Sequence, residues 1–224
     1  MRPELKAVVR AGELTRTTDD EVFSHTGTAG SWSVMAGLIG MGPATACRAT
    51  ARVLSSGHFD HVMVVGIAGG LDLGLAIGDL MVPDRVGVHP DGAVYRAHPL
   101  PSRVAEGGLM TTDGLFSDEA IWRPILESGF GAVDMEASGV AEACEESGVD
   151  WSVYRGISDR PDEGIVDQAV FALGKPDGSA DLMAVAKYLA RDPRRAKALA
   201  HLNRCMELAA KAAAMAAFDD LSRS

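Results

Sequence analysis

Apolar runs alternate with helical patterns along most of this chain. Near the start, Pro3 to Arg10 places Leu5, Val8 and Val9 on one side of a short helix, and Val22 to Thr26 and Trp32 to Ile39 read as strands separated by a Gly/Ser turn. "GMGPATACRATARVLSSG" comes next. Pro43 in a first helical turn and Gly57 just past the end predict a helix of about four turns. The continuous apolar run "HVMVVGIAGG", His61 to Gly70, reads as a strand buried on both faces that ends in a glycine-rich turn, which implies a parallel, helix-covered sheet. Further strands are expected at Asp79 to Val88, Leu109 to Thr112, Ala132 to Met135 and Trp151 to Ile157, and helices at Asp118 to Ser128, Glu136 to Ser147 and Leu182 to Ala190. One long alanine-rich helix closes the chain, with Leu199, Leu202, Met206 and Ala209 as a packing stripe at helical spacing. The loop from Pro161 to Ala180 is the least regular stretch, and no internal repeat or low-complexity tail is present.

Composition narrows the function classes. A length of 224 residues suits one large α/β domain. A net charge of -10 and a pI near 5.0 would repel a phosphate backbone, so nucleic acid is not an expected partner. Cys47, Cys144 and Cys205 are widely scattered, with no CxxC or Cys/His ligand spacing, which fits a reduced cytoplasmic protein. The N-terminus lacks an apolar core of signal-peptide length, and no apolar run reaches the roughly 20 residues that span a bilayer. No membrane association is expected.

Strand-then-helix alternation places ligands at the carboxyl ends of strands, where helix N-termini point their free N–H groups. Three such ends carry unusual residues: Gly66 to Gly70, Asp134 to Glu136, and Ser158 to Asp159. The glycines do not form a dinucleotide or phosphate cradle. "GMGPAT" has Thr45 where a third glycine should stand, and "GIAGGLD" fits neither GxGxxG nor GxxxxGK[ST], so no cofactor is expected. A tight turn and a close backbone approach to a ligand both explain Gly66, Gly69 and Gly70. In "GHFDH", His58, Asp60 and His61 lack a third convincing partner and read as surface groups, and no metal is expected.

"VVGIAGGLDLGLAIGDLMVPDRV", "GAVDMEASGVAEAC" and "VYRGISDRPDE" resemble the nucleoside phosphorylase and nucleosidase superfamily, and within it the methylthioadenosine/S-adenosylhomocysteine nucleosidases. The resemblance covers most of the chain, and the MEA and ISD motifs carry it. It implies a three-layer α/β/α fold with a central mixed sheet, a small-molecule nucleoside as ligand, and a homodimer or larger homo-oligomer. It also gives the two strand ends a chemistry. Breaking an N-glycosidic bond develops positive charge on the ribose and negative charge on the departing base, so an acid is needed near the base and acceptors near the sugar. By resemblance Asp159 donates a proton toward purine N7 and Ser158 orients its carboxyl group. Glu136 accepts hydrogen bonds from the ribose hydroxyls, Met135 packs against the ribose, and Arg155 matches the arginine that stands near this site. Read without the resemblance, Asp159 is a cap and Glu136 a first-turn helix acid.

The same resemblance nominates Glu4 of "MRPE", in a Met-x-x-Glu pattern, as the base that activates water. A solvent-facing acid in a first helical turn is the plain alternative. The resemblance implies a strand ahead of this glutamate, which the sequence from Met1 does not include: either the start lies too late or the sheet lacks an edge. Ala68 and Gly69 are expected to line the base pocket. Leu115 stands where relatives stack an aromatic on the purine, with Phe116 one position later, and Ile67 replaces a common serine. The expected function is hydrolysis of a purine nucleoside such as methylthioadenosine or S-adenosylhomocysteine. Phosphorolysis is the nearest alternative, but "VMVVGIAGG" offers Val64 and Ile67 where phosphorylases place anion-binding arginine and serine. Futalosine hydrolysis and nonenzymatic nucleoside binding are the others.

Overall fold

A computed structural model of the protein describes residues 2–20, 22, 24–115, 118–163, 166, 168–173, 175 and 181–224. The chain begins with helix α1 (Arg2–Ala11), strand β1 (Thr15–Arg16) and the hairpin strands β2 (His25–Ala29) and β3 (Trp32–Ala36). Helix α2 (Pro43–Leu54) leads into the long strand β4 (His61–Gly70). Four shorter strands follow: β5 (Leu80–Met81), β6 (Arg85–Val88), β7 (Val94–Arg96) and β8 (Gly108–Thr111). Then come α3 (Glu119–Glu127), β9 (Phe130–Asp134), α4 (Ala137–Ser147) and β10 (Asp150–Asp159). A single 3-10 turn at Pro161–Glu163 precedes α5 (Gln168–Phe171), α6 (Leu182–Arg191) and α7 (Arg195–Arg223).

Local chemistry sets these boundaries. Asp118 caps α3 by accepting from the Ala120 N–H, and Asp181 caps α6 by accepting from Met183 and Ala184. Gly148 ends α4 in the left-handed conformation. Two strand expectations are corrected. The stretch Asp79 to Val88 is two strands rather than one, because Pro83 between them has no N–H to give a ladder. The strand expected from Val22 begins at His25, since the Asp20 carboxylate accepts the Val22 N–H and holds that backbone in a turn.

The strands form two sheets. A small antiparallel one has the order β1-β2-β3, and a seven-stranded one has the order β5-β10-β4-β9-β8-β6-β7. The larger sheet is mixed rather than parallel. β10 runs parallel to β4, and β6 to β8 to β9, whereas β5, β7 and the β4–β9 junction are antiparallel. That junction is brief, with the pairs Gly69↔Val133 and Gly70↔Ala132.

Helices cover both faces. α7 lies on β10, β4 and β5, with α1 against it, while α4 packs on the opposite face and α2 packs on α4. β10 is buried on both sides. Trp151, Val153 and Ile157 join Val86, Leu109 and Val140 in one core, and Tyr154 meets Val82, Ala213 and Ala217 in the other. Burying Trp151 alone is worth about 4–6 kcal/mol by area. The bare backbone of Gly156 lets α7 lie close, since a Cβ there would sit 2.1 Å from the Ala209 carbonyl oxygen. Of the expected α7 stripe, Ala209 is buried and Leu199, Leu202 and Met206 are half-buried; the fully buried run continues through Ala210, Ala213, Ala214 and Ala217. Among the described residues no helix is long and apolar enough to cross a membrane.

Candidate active site

Strand order explains why residues far apart in sequence meet. β4 lies between β10 and β9, so its glycine end is flanked by both carboxylate-bearing strand ends. The parallel register sets Asp159 opposite Gly69. β9 runs the other way, so the chain leaving it at Asp134 turns back along β4 and carries Glu136 toward Arg155.

Arg155 is the hub. Its side chain is only 3% exposed, and its Nη2 donates to Asp134 Oδ2 and, at 3.1 Å, to Glu136 Oε2. Glu4 Oε1 stands 3.7 Å from Nη1 and accepts the Ile67 N–H at 3.0 Å. Glu4 therefore faces inward from α1, not toward solvent. Gly66 makes this possible: a Cβ there would lie 2.2 Å from Arg155 Nη1 and 2.3 Å from Glu4 Oε1. Three carboxylates around one guanidinium leave excess negative charge. Burial, opposed by Arg155 and reinforced by Asp134 and Glu4, pushes the Glu136 carboxyl up to about 7. Burial works against the Arg155 charge, but Asp134, Glu136 and Glu4 outweigh it and hold the guanidinium protonated above its ordinary range.

Asp134 does the work of a helix cap that Glu136 does not. Its Oδ2 accepts the Ala137 N–H at 3.0 Å, and its Oδ1 accepts from Thr111 Oγ1 at 2.7 Å. Thr111 Oγ1 in turn accepts the Ser138 N–H. Glu136 sits at the N-cap of α4 with no side-chain cap bond, so its carboxylate is left for other partners. Sequence reading gave Asp134 and Thr111 no role. The only signal available was their position at adjacent strand ends.

Ser158 and Asp159 form the other half. The Ser158 hydroxyl lies 2.5 Å from Asp159 Oδ1 and 3.2 Å from the Ala68 carbonyl oxygen, both acceptors for its proton. Burial raises the Asp159 carboxyl above its usual range; the Ser158 hydrogen bond opposes this and Glu163 adds to it. Among the described residues no Lys, Arg or His forms an ion pair with Asp159, and neighbouring Arg160 pairs with Asp162. Gly69 keeps the space beside it open, since a Cβ there would rest 3.5 Å from Asp159 Oδ2.

A cavity of about 260 Å³ opens beside this cluster. Glu4, Glu136 and Arg155 line one end of it, but Asp159, Ser158, Met135, Ala68, Gly69 and Leu115 do not. Ala68 is buried, Met135 and Leu115 are half-buried, and Phe116 lies outside the described residues. Thr112 fastens the segment before Leu115 to β9, its N–H bonding the Asp134 carbonyl and its hydroxyl the Gly114 carbonyl. His58 and Asp60 pair on the surface at 3.5 Å, whereas His61 turns in to Ser152. Among the described residues no group of three or more His, Cys, Asp or Glu is arranged to hold a metal.

Comparison with known proteins follows the same line. The family model of the phosphorylase superfamily matches residues 1–96. A 5'-methylthioadenosine/S-adenosylhomocysteine nucleosidase of an Exiguobacterium species is 29% identical over 184 residues, covering 67% of this chain and 79% of the relative. The Neisseria meningitidis enzyme of that name, solved in complex with methylthio-immucillin-A, superposes with a TM-score of 0.72 at 17% identity, covering 100% of this chain and 96% of that one. Futalosine hydrolase of Helicobacter pylori superposes with a TM-score of 0.70 at 20% identity, covering 100% and 94%. These structural likenesses are likenesses of fold. In sequence and in fold the chain is thus similar to the phosphorylase superfamily, and most like the methylthioadenosine/S-adenosylhomocysteine nucleosidases.

Proposed function

We propose that the protein hydrolyses the N-glycosidic bond of a purine nucleoside such as methylthioadenosine or S-adenosylhomocysteine. The observation that carries this reading is the convergence of two separate acid systems on the glycine end of β4. Glu4, Glu136 and Arg155 gather at Gly66, and Asp159 with Ser158 stands at Gly69, about 10 Å further along the strand at the usual rise per residue. That spacing suits a sugar at one place and its base at the other.

In this reading Asp159, whose carboxyl burial shifts toward the protonated form, gives its proton to the departing purine, and Ser158 fixes which oxygen carries it. Glu136 accepts from the ribose hydroxyls and its charge stabilises the cationic sugar; Met135 covers the ribose. Glu4 takes a proton from the attacking water, and Arg155 positions both glutamates. Ala68 and Gly69 border the base through their backbone, with Leu115 and Phe116 beside it.

The charge pattern favours water over phosphate. Arg155, the buried cation beside Gly66, is already bound by three carboxylates, and a phosphate dianion would meet their excess charge. The test is incubation with methylthioadenosine, S-adenosylhomocysteine, adenosine, inosine and futalosine, with and without phosphate, separating free base from sugar products. Free base and free sugar without phosphate are expected. Strict phosphate dependence would make the protein a phosphorylase, and binding without turnover would make it a nucleoside-binding protein.

A further inference from the structure

Helix α6 is amphipathic, yet it gives little to the core. None of its ten described residues is buried. Leu182 and Met183 in its first turn are 79% and 80% exposed, and among the described large apolar side chains only Val104 is more so. The exposed face of α6 is made of two neighbouring rows at helical spacing: Leu182, Ala186 and Ala190 in one, Met183, Lys187 and Arg191 in the other. Ala184, Val185, Tyr188 and Leu189, on the other side, are half-buried. The helix thus turns part of its apolar surface outward, directly beside two cations.

The charge here runs against that of the rest of the molecule. Residues 182–204 hold six cations, Lys187, Arg191, Arg194, Arg195, Lys197 and Arg204, against the single carboxylate of Asp192, in a chain whose net charge is -10. All six are exposed. The Arg195 guanidinium lies 4.6 Å from the centre of the Tyr188 ring and its Nε 3.7 Å from Asp192 Oδ2, so the start of α7 is held against the end of α6 and the cations on both sides of the bend stay together. We propose that this patch docks on an anionic lipid bilayer, with α6 lying in the plane of the headgroups, Leu182 and Met183 inserted, and the Lys and Arg side chains on the lipid phosphates and carboxylates. Charge complementarity selects an anionic partner. The two protruding apolar side chains select lipid among anionic partners, because a polynucleotide backbone gives them nothing to enter and a protein would need a cavity matched to both. Two apolar side chains alone hold a bilayer weakly, so both the apolar and the cationic contribution are needed, and the attachment is reversible. Lying on a membrane requires no spanning helix, and among the described residues there is none; surface docking nevertheless departs from the sequence expectation of no membrane association. Docking through α6 is independent of the nucleosidase reading.

Vesicle flotation tests this with the intact chain. Vesicles of phosphatidylcholine containing about 30% phosphatidylserine should carry at least about tenfold more protein than phosphatidylcholine alone at about 0.1 M salt, and about 0.5 M salt should remove the difference. Leu182→Trp should add a fluorescence component that shifts to the blue with the anionic vesicles and not with the neutral ones. Leu182→Asp with Met183→Asp, and separately Lys187→Glu with Arg191→Glu, should each lower binding at least about tenfold. These side chains are exposed, so circular dichroism and thermal melting should match wild type. Absence of binding to the anionic vesicles, or equal binding to neutral ones, would overturn the proposal. Loss of binding in the charge variant but not in the Leu182 and Met183 variant would also overturn it, since the patch would then hold acidic macromolecules by charge alone. A protein that does not float but whose sedimentation coefficient falls with Leu182→Asp would replace the bilayer by a second copy of the chain.

Discussion

Replacing Gly66 by alanine tests the centre of the site with a single methyl group. That carbon would arrive 2.2 Å from Arg155 Nη1 and 2.3 Å from Glu4 Oε1, so one of these groups must retreat by about 1 Å to reach ordinary contact. Arg155 is held by Asp134 and Glu136, whereas Glu4 has the longer contact, 3.7 Å, and is the group that yields. Its retreat breaks the charge-assisted bond from the Ile67 N–H. Overpacking costs about 1–3 kcal/mol and the lost bond about 1.5–3, terms that overlap, so a loss near 3 kcal/mol is expected. In a chain of this size that is about 6–12 °C in melting temperature. If Glu4 is the base, turnover falls by about 10²-fold or more. Thermal melts and product assays on Gly66→Ala, alongside Glu4→Gln, measure both. Glu4→Gln keeps the packing, so it should match the alanine variant in turnover but melt closer to wild type. A Gly66→Ala protein that melts within about 2 °C of wild type and turns over normally would refute the arrangement.

Glu136 binds its proton more tightly in the folded protein than in the unfolded chain, so it contributes a loss of stability as pH rises from 4.5 toward 7. At about 1.4 kcal/mol per pH unit that contribution is bounded at about 3 kcal/mol, and Glu136→Gln should flatten the urea-unfolding free energy across this window. Asp159→Asn should cut turnover by about 10²- to 10⁴-fold and remove the decline in rate expected of the wild type as pH rises and the Asp159 carboxyl loses its proton, with nucleoside binding by calorimetry preserved. Away from the site, Asp220 is fully buried and accepts from Arg103 at 2.8 and 2.9 Å and from Tyr154 at 2.8 Å. Asp220→Asn should cost about 3–5 kcal/mol in chemical denaturation while leaving turnover below the melting range unchanged.

Local signals made much of this molecule legible. Pro43, Asp118, Asp181 and Gly148 mark helix boundaries, and the apolar runs of β4 and β10 announce central strands. Strand direction was not legible, because the antiparallel course of β9 depends on pairing with a strand about sixty residues earlier, whose partners no local pattern reveals. The site divides similarly. Position at strand ends brought Glu136, Ser158 and Asp159 forward and the family resemblance added Arg155, but neither gave the division of labour between Asp134, which caps α4, and Glu136, which does not. That difference rests on backbone geometry at one bend. Glu4 could be read as a helix acid of either orientation, and only the packing of α1 against β4 turns it inward.

The short β4–β9 junction gives the sheet a seam. Strands β5, β10 and β4 form one panel and β9, β8, β6 and β7 another, stitched by the pairs at Gly69 and Gly70. Arg155 belongs to the first panel, and its partners Asp134 and Glu136 lie at or beyond the end of the second. These ion pairs are therefore staples across the fold's narrowest join as well as parts of a site. A ligand that engages Glu136 draws on a carboxylate that also ties one panel to the other.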